Sequence, residues 1–329
     1  MWGIKQKANH DIAHINTQLE QQIASYAPSI EKFLKEINAI VLDKQAQTRL
    51  ALCCLIAGGH VLFEDLPGLG KTTLASSLSH LAGLKFQRIQ FTNDMLASDV
   101  IGINMFNQKE HQFEFKQGPI FTQILLADEI NRWSPKTQSA LLEAMEEQQV
   151  SAEGATRPLP QPFFVIATQN PREQLGTYPL PESQLDRFLM RVSLGYPDRE
   201  AERLLLSVNG HRQHLQQLQA VMRPDEVQKL QQAVLQVHAS TPLLDYVLDL
   251  VEASRSGQWF VQGLSPRAAI ALVRTAKARA FILGRQHVSP EDVQDTIAQT
   301  IAHRLVPLAQ SGLSAAAQVR AMVNATPLR

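Results

Sequence analysis

The stretch FEDLPGLGKTTLA, Phe63 to Ala75, decides how the rest of the chain is read. An apolar run, HVLFE (60–64), leads into a turn carrying Gly68 and Gly70, and a helix-forming run opens at Lys71-Thr72-Thr73. Strand, glycine-rich turn and helix in that order form a phosphate-binding loop. The first amides of the helix make an anion site, which the helix dipole reinforces. Pro67, Gly68, Leu69, Gly70, Lys71, Thr72 and Thr73 are the candidate cradle. Glycine lets the backbone come close to phosphate, Lys71 would neutralise the β- and γ-phosphates, and Thr72 would offer its hydroxyl to Mg²⁺. One position departs from the G-x-x-x-x-G-K-[ST] pattern: Asp65 stands where the first glycine belongs. A carboxylate there opposes phosphate only if it points into the loop.

A site that hydrolyses nucleotide also needs carboxylates at the end of a neighbouring strand. The run from Gln123 to Glu129, QILLADE, supplies them: four apolar residues for a buried strand, then Asp128 and Glu129. In an open α/β sheet, ligands sit at the carboxyl ends of the strands. Asp128 is the candidate to hold magnesium, and Glu129 to orient and activate the attacking water. Taken alone, the pair could equally be a solvated acidic end of a strand.

Further apolar runs, FQRIQF (86–91), FFVIAT (163–168) and LMRVSL (189–194), alternate with helix-like segments, so five strands with parallel pairing are expected. After Pro197 strand-like runs stop, and helices are expected at about 198–208, 224–238, 241–255, 266–283 and 290–308. The Ser-Pro pairs at 134–135, 265–266 and 289–290 each mark a helix start: serine caps the first amides, and proline fits the first helical position. Near the N-terminus, Ile12, Ile15, Leu19 and Ile23 predict an amphipathic helix broken near Pro28, with a second helix from about Ile30 to Ala57.

Composition bounds the function. Lys plus Arg and Asp plus Glu are each 31, so the formal charge is zero, which disfavours a protein that mainly coats nucleic acid. The two cysteines, Cys53 and Cys54, are adjacent and read as small buried residues in a reducing compartment. The longest apolar run, Ala51 to Ala57, is too short to span a bilayer, and MWGIKQKANHD has no signal-like apolar core. No membrane insertion and a cytoplasmic location are the expectation.

Longer motifs make the reading specific. LLADEINRWSPKTQSALLEAMEEQQV (125–150), IATQNPREQLGTYPLPESQLDRFLMRV (166–192) and GLSPRAAIAL (263–272) resemble the MoxR family of AAA+ ATPases over about residues 36–308. The resemblance implies an α/β fold: a P-loop AAA+ αβα domain with a five-stranded parallel sheet, followed by an all-α lid domain. It divides the chain into an N-terminal helical extension (1–35), the ATPase domain (36–197) and the lid (198–329). Inserts fall at about 94–117, where Phe113 and Phe115 alternate with polar residues, and at 149–162; in this clade they face the pore or the client.

By the same resemblance, Asn170 matches sensor 1, Arg187 the finger that reaches a neighbouring subunit's nucleotide, and Arg267 sensor 2. From the residues alone, Asn170 could be a turn asparagine before Pro171, and Asp186-Arg187 a surface pair. Arg267 lies in the first turn of a Ser-Pro-capped helix, where the dipole and the guanidinium act together. The other basic residues between Glu252 and Glu291 read as a solvated lid face. Trp133 departs from the family pattern, and either a subunit interface or cover for the helix start would suit it.

The implied function is Mg²⁺-dependent ATP hydrolysis in a ring, with a hexamer expected, coupled to remodelling of a protein client or to cofactor or metal insertion. A partner with a von Willebrand A-type (VWA) domain is implied by the resemblance alone. Two alternatives stay open: a nucleic-acid motor or loader of AAA+ type, and an ATP-gated assembly scaffold with little hydrolysis.

Overall fold

The computed structural model describes residues 2–92, 94–171, 176–207, 218–309 and 312–328, with side chains from Thr17 onward. The chain divides into two compact units, Leu34–Gln228, and Met1–Phe33 with Lys229–Arg329. The first division falls within two residues of the expected boundary at 35, and the second lies beyond residue 197, where the strand-like runs stop.

Helix α1 runs Trp2–Ile40 without the expected break at Pro28. A proline inside a helix removes one backbone bond and crowds the preceding turn. Here an apolar stripe on both sides of it, Leu19 and Ile23, then Ile30 and Phe33, is buried and carries the helix through. The side chains of Ile12 and Ile15 lie outside the described residues. The chain breaks later than expected, at 41–44, where Asp43 takes φ 55°. Helix α2 then spans Gln45–Ile56, with Cys53 and Cys54 both buried.

In the Leu34–Gln228 unit, all five expected strands form. β1 (Val61–Glu64) leads to α3 (Lys71–Leu81) and β2 (Phe86–Ile89). The first insert folds as α4 (Ala97–Ile101) and the hairpin β3 (Gly102–Asn107) and β4 (Gln112–Gln117). β5 (Ile124–Ala127) leads to α5 (Pro135–Glu147). The second insert is the hairpin β6 (Gln149–Ala152) and β7 (Ala155–Pro158). β8 (Phe164–Gln169), α6 (Glu182–Leu185), β9 (Met190–Val192) and α7 (Arg199–Ser207) follow.

The sheet order is β2-β5-β8-β1-β9, with every pair parallel. Parallel pairing sets all the carboxyl ends on one edge, and the register keeps three of them level. Glu64 lies opposite Gln169, and Ala127 opposite Ala167. The central strands are apolar on both faces, as burial between helix layers requires: Val61 to Phe63, Ile124 to Ala127 and Val165 to Ala167 are fully buried.

The other unit contains no named strand among its described residues. α8 (Pro224–Leu235) enters it, and α9 (Thr241–Arg255), α10 (Pro266–Ile282) and α11 (Pro290–Ile301) follow. A last helix, α12 (Ala315–Ala325), was not expected; Ser314 caps it by accepting from Ala317 N–H. The Ser-Pro starts behave as the local chemistry dictates. Ser134 and Ser265 accept from Thr137 N–H and Ala268 N–H. At Ser289 the carboxylate of Asp292 receives the serine's own N–H at 2.8 Å.

Asp292 also corrects the picture of a solvated basic face. It is fully buried, and its carboxylate takes hydrogen bonds from Arg279 (2.5 Å) and Arg285 (2.5 and 2.7 Å). Lys277 is likewise engaged, donating to the Leu235 carbonyl at 2.9 Å, and Arg255 donates to the Leu264 carbonyl.

Candidate nucleotide site

The loops after β1, β5 and β8 meet at the carboxyl edge of the sheet around a cleft of ≈ 380 Å³. Pro67, Gly68, Gly70, Lys71, Thr72 and Thr73 line it on one side, and Asp128, Glu129, Thr168 and Asn170 on the other. Leu69 is not among the lining residues. Gly68 and Gly70 take φ of +84° and +86°, a region that L side chains rarely enter. Gly70 is the N-cap of α3, so the amides of Lys71 and the threonines after it begin the helix free of any capping side chain.

The Lys71 ammonium folds back over its own loop, donating to the carbonyls of Asp65 (2.8 Å) and Leu66 (3.2 Å). Burial pushes its pKa below the ordinary lysine value; the charges of Asp65, Asp128 and Glu129 oppose that shift without cancelling it.

The geometry of Asp65 answers the question its position raised. Its carboxylate turns away from the cradle and accepts from Ser193 Oγ (2.6 Å), Leu194 N–H (2.5 Å) and Gly195 N–H (3.2 Å). The residue ties the start of the loop to the segment after β9, at 7% exposure. Asp65→Ala strands the buried Leu194 amide and removes a partner from the half-buried Gly195 amide and the exposed Ser193 hydroxyl, and is expected to cost about 1–3 kcal/mol. Urea unfolding with an unchanged m-value measures it; native stability in the variant would refute the tie.

On the facing strand, Glu129 takes φ 53°, ψ 49°, a left-handed conformation uncommon for a side-chain-bearing residue. Three contacts hold that turn. Its N–H donates to Thr168 Oγ1 at 2.9 Å, Thr168 Oγ1 donates to Asp128 Oδ1 at 2.6 Å, and Trp133 Nε1 donates to the Asp128 carbonyl at 3.0 Å. Trp133 is wholly buried, so it serves the core beneath the carboxylates and offers no surface to another subunit. The Glu129 carboxylate meets Arg132 Nε at 3.2 Å.

The other candidates lie elsewhere. Arg187 does not line this cleft; its guanidinium donates to the Leu142 carbonyl at 3.0 Å and pairs with Glu146. Arg267 is exposed at the start of α10, in the other compact unit. Sequence reasoning missed Thr168, and also Arg88 and Gln90, which line the cleft from β2 and its continuation. The signal was present: Arg88 and Gln90 are two apart, so they share a face of the strand.

The chain matches the family "ATPase family associated with various cellular activities (AAA)" over residues 60–190 and the AAA lid domain over 252–322. It is 37% identical to the chaperone MoxR1 of Mycobacterium tuberculosis, over 86% of this chain and 77% of that one. The chain belongs to the MoxR family of AAA+ ATPases. The Bacillus subtilis relative YeaC is 44% identical over 91% of this chain and 94% of its own length, and carries no assigned role. A solved structure from Cytophaga hutchinsonii, assigned as an ATPase, superposes with a TM-score of 0.86 at 36% identity; the match covers 95% of this chain and 98% of that one. The parallel sheet falls almost wholly within the AAA match, and α10 and α11 fall within the lid match. Among the described residues no helix is long and apolar enough to cross a membrane.

Proposed function

We propose that the cleft binds ATP with Mg²⁺ and that this MoxR-family chain hydrolyses it in the cytoplasm as a ring, a hexamer, to remodel a protein client. One observation carries the reading: the glycine loop, the Asp128-Glu129 turn and the Thr168-Asn170 strand end line a single cleft.

The residues fit their parts. The φ of Gly68 and Gly70 turns the loop into the α3 N-terminus, and the Lys71 ammonium stands over the same loop, so polyphosphate meets amides and a cation together. Thr72 and Asp128 present oxygen ligands, the donor type that Mg²⁺ takes. When bound, the metal neutralises charge on the phosphate oxygens. Glu129, held in its strained turn by Thr168, is the group that orients and deprotonates the attacking water. Asn170, 8% exposed beside it, positions that water against the terminal phosphate. The assignment of Arg267 as sensor 2 rests on family resemblance.

Arg187 is not among the residues lining its own cleft, which is compatible with a finger for a neighbouring subunit's nucleotide, the role that family resemblance gives it. That assignment has a direct test. Neither Arg187→Ala nor Lys71→Ala protein alone should hydrolyse ATP above about 1% of native, since such a finger contributes roughly 10³–10⁵ in rate. Mixed rings should regain activity, because some interfaces pair an intact loop with an intact finger. No recovery at any mixing ratio would remove Arg187 from the site.

Client remodelling is supported by the chaperone designation of the M. tuberculosis relative and by the β3–β4 hairpin, which exposes Met105, Phe106 and Phe113. A VWA-domain partner and a role in cofactor or metal insertion rest on family resemblance alone.

A further inference from the structure

Among the charged side chains lining the cleft, Arg88 alone has no part in the mechanism above. Its place is fixed by two features. β2 pairs with β5 so that Arg88 stands opposite Leu126, two residues before Asp128. Its guanidinium then reaches along the strand end to one oxygen of that carboxylate: Nη2 donates to Asp128 Oδ2 at 2.5 Å and Nε at 3.2 Å. The other oxygen, Oδ1, is taken by Thr168 Oγ1, which also receives the Glu129 N–H. A chain of contacts therefore crosses three neighbouring strands, from Arg88 through Asp128 and Thr168 to the backbone of Glu129.

The Asp128 side chain is mostly buried, at 15% exposure, and among the described residues Arg88 is the cation in direct ion-pair contact with it. A guanidinium and a divalent cation repel one another at such separations, so they cannot both draw on this carboxylate without cost to each. With no metal bound, Arg88 keeps Asp128 oriented and adds a positive charge where polyphosphate would lie.

We propose that Arg88 is a positioning residue that holds the Asp128 carboxylate while metal is absent, and competes with the divalent cation for it, thereby setting the metal requirement of the site. This rests on the reading of Asp128 as a metal holder.

Competition implies effects of opposite sign, which a merely structural arginine would not produce. The test is calorimetric titration of ADP into full-length protein, in EDTA and across a series of Mg²⁺ concentrations. Arg88→Gln should weaken metal-free ADP binding by about tenfold and lower the Mg²⁺ midpoint by about tenfold, from the loss of one charge-assisted pair and one repulsive charge. Arg88→Lys keeps the charge but not the planar fork, so it should retain metal-free affinity within about threefold. If Arg88→Gln weakens both properties together, or moves neither, the proposal fails. Asp128→Asn separates the two levels. A shifted Mg²⁺ midpoint there, with none in Arg88→Gln, sinks only the role of Arg88. An unshifted midpoint in Asp128→Asn sinks the metal reading and the competition with it.

Discussion

Glu129→Gln protein should bind ATP with native affinity and turn it over roughly 10²–10⁴-fold more slowly, the range that a positioned general base contributes. The carboxylate is held ready by backbone geometry and by few side-chain contacts. Its N–H is fixed on Thr168 Oγ1, the Asp128 carbonyl behind it is fixed on Trp133, and among the described residues Arg132 is the one paired with its side-chain oxygens. Glutamine fills the same volume and leaves those backbone contacts alone, so binding should survive while deprotonation of water is lost. Single-turnover hydrolysis and nucleotide titration on one preparation separate the two. Native turnover in the variant would overturn the assignment, and lost binding would mean that Glu129 shapes the loop. The same variant, held in its ATP state, is the bait for capturing a client.

Lys71→Ala should lose nucleotide binding by at least about 100-fold, since it removes a charge-assisted contact to phosphate inside a partly dry cleft. The ammonium already spans the loop, on the Asp65 and Leu66 carbonyls, so part of its desolvation is complete before phosphate arrives. Because burial sets its pKa below the ordinary lysine value, the charge is lost earlier than usual as pH rises. Nucleotide affinity should therefore decline on the alkaline side, beginning before an exposed lysine would deprotonate; Lys71→Arg should move that decline to higher pH. Affinity that stays flat up to the ordinary lysine range would sever it from Lys71. Native affinity in Lys71→Ala would remove the loop from the site altogether.

Much of the architecture was written locally. The three central strands announced themselves as short apolar runs because a sheet covered on both faces needs apolar residues at consecutive positions, while the edge strands β2 and β9 mix apolar and polar residues. The Ser-Pro pairs marked three helix starts because capping and the φ of proline are properties of two adjacent residues. Where packing outweighed local preference, the sequence misled. Pro28 did not end α1, since buried Leu19, Ile23, Ile30 and Phe33 line the helix on either side of it. The basic residues of α10 and beyond gave no sign that Asp292 would draw Arg279 and Arg285 together, because that carboxylate is distant from Arg279 in sequence and adjacent only in the packed unit.

The sequence by itself determined that a glycine loop follows a strand and opens a helix, and that two carboxylates end another strand. Motif spacing and the fixed geometry of strand, turn and helix are enough for that. Only the tertiary structure decided what Asp65 does in place of the missing glycine. Its partners, Ser193, Leu194 and Gly195, come from the far side of β9, and they turn the carboxylate out of the cradle. Arg88 and Thr168 became part of the site in the same way. Parallel pairing of β2, β5 and β8 brings residues about 40 apart to between 2.5 and 3.2 Å, a proximity set by sheet register, which no local pattern of residues specifies.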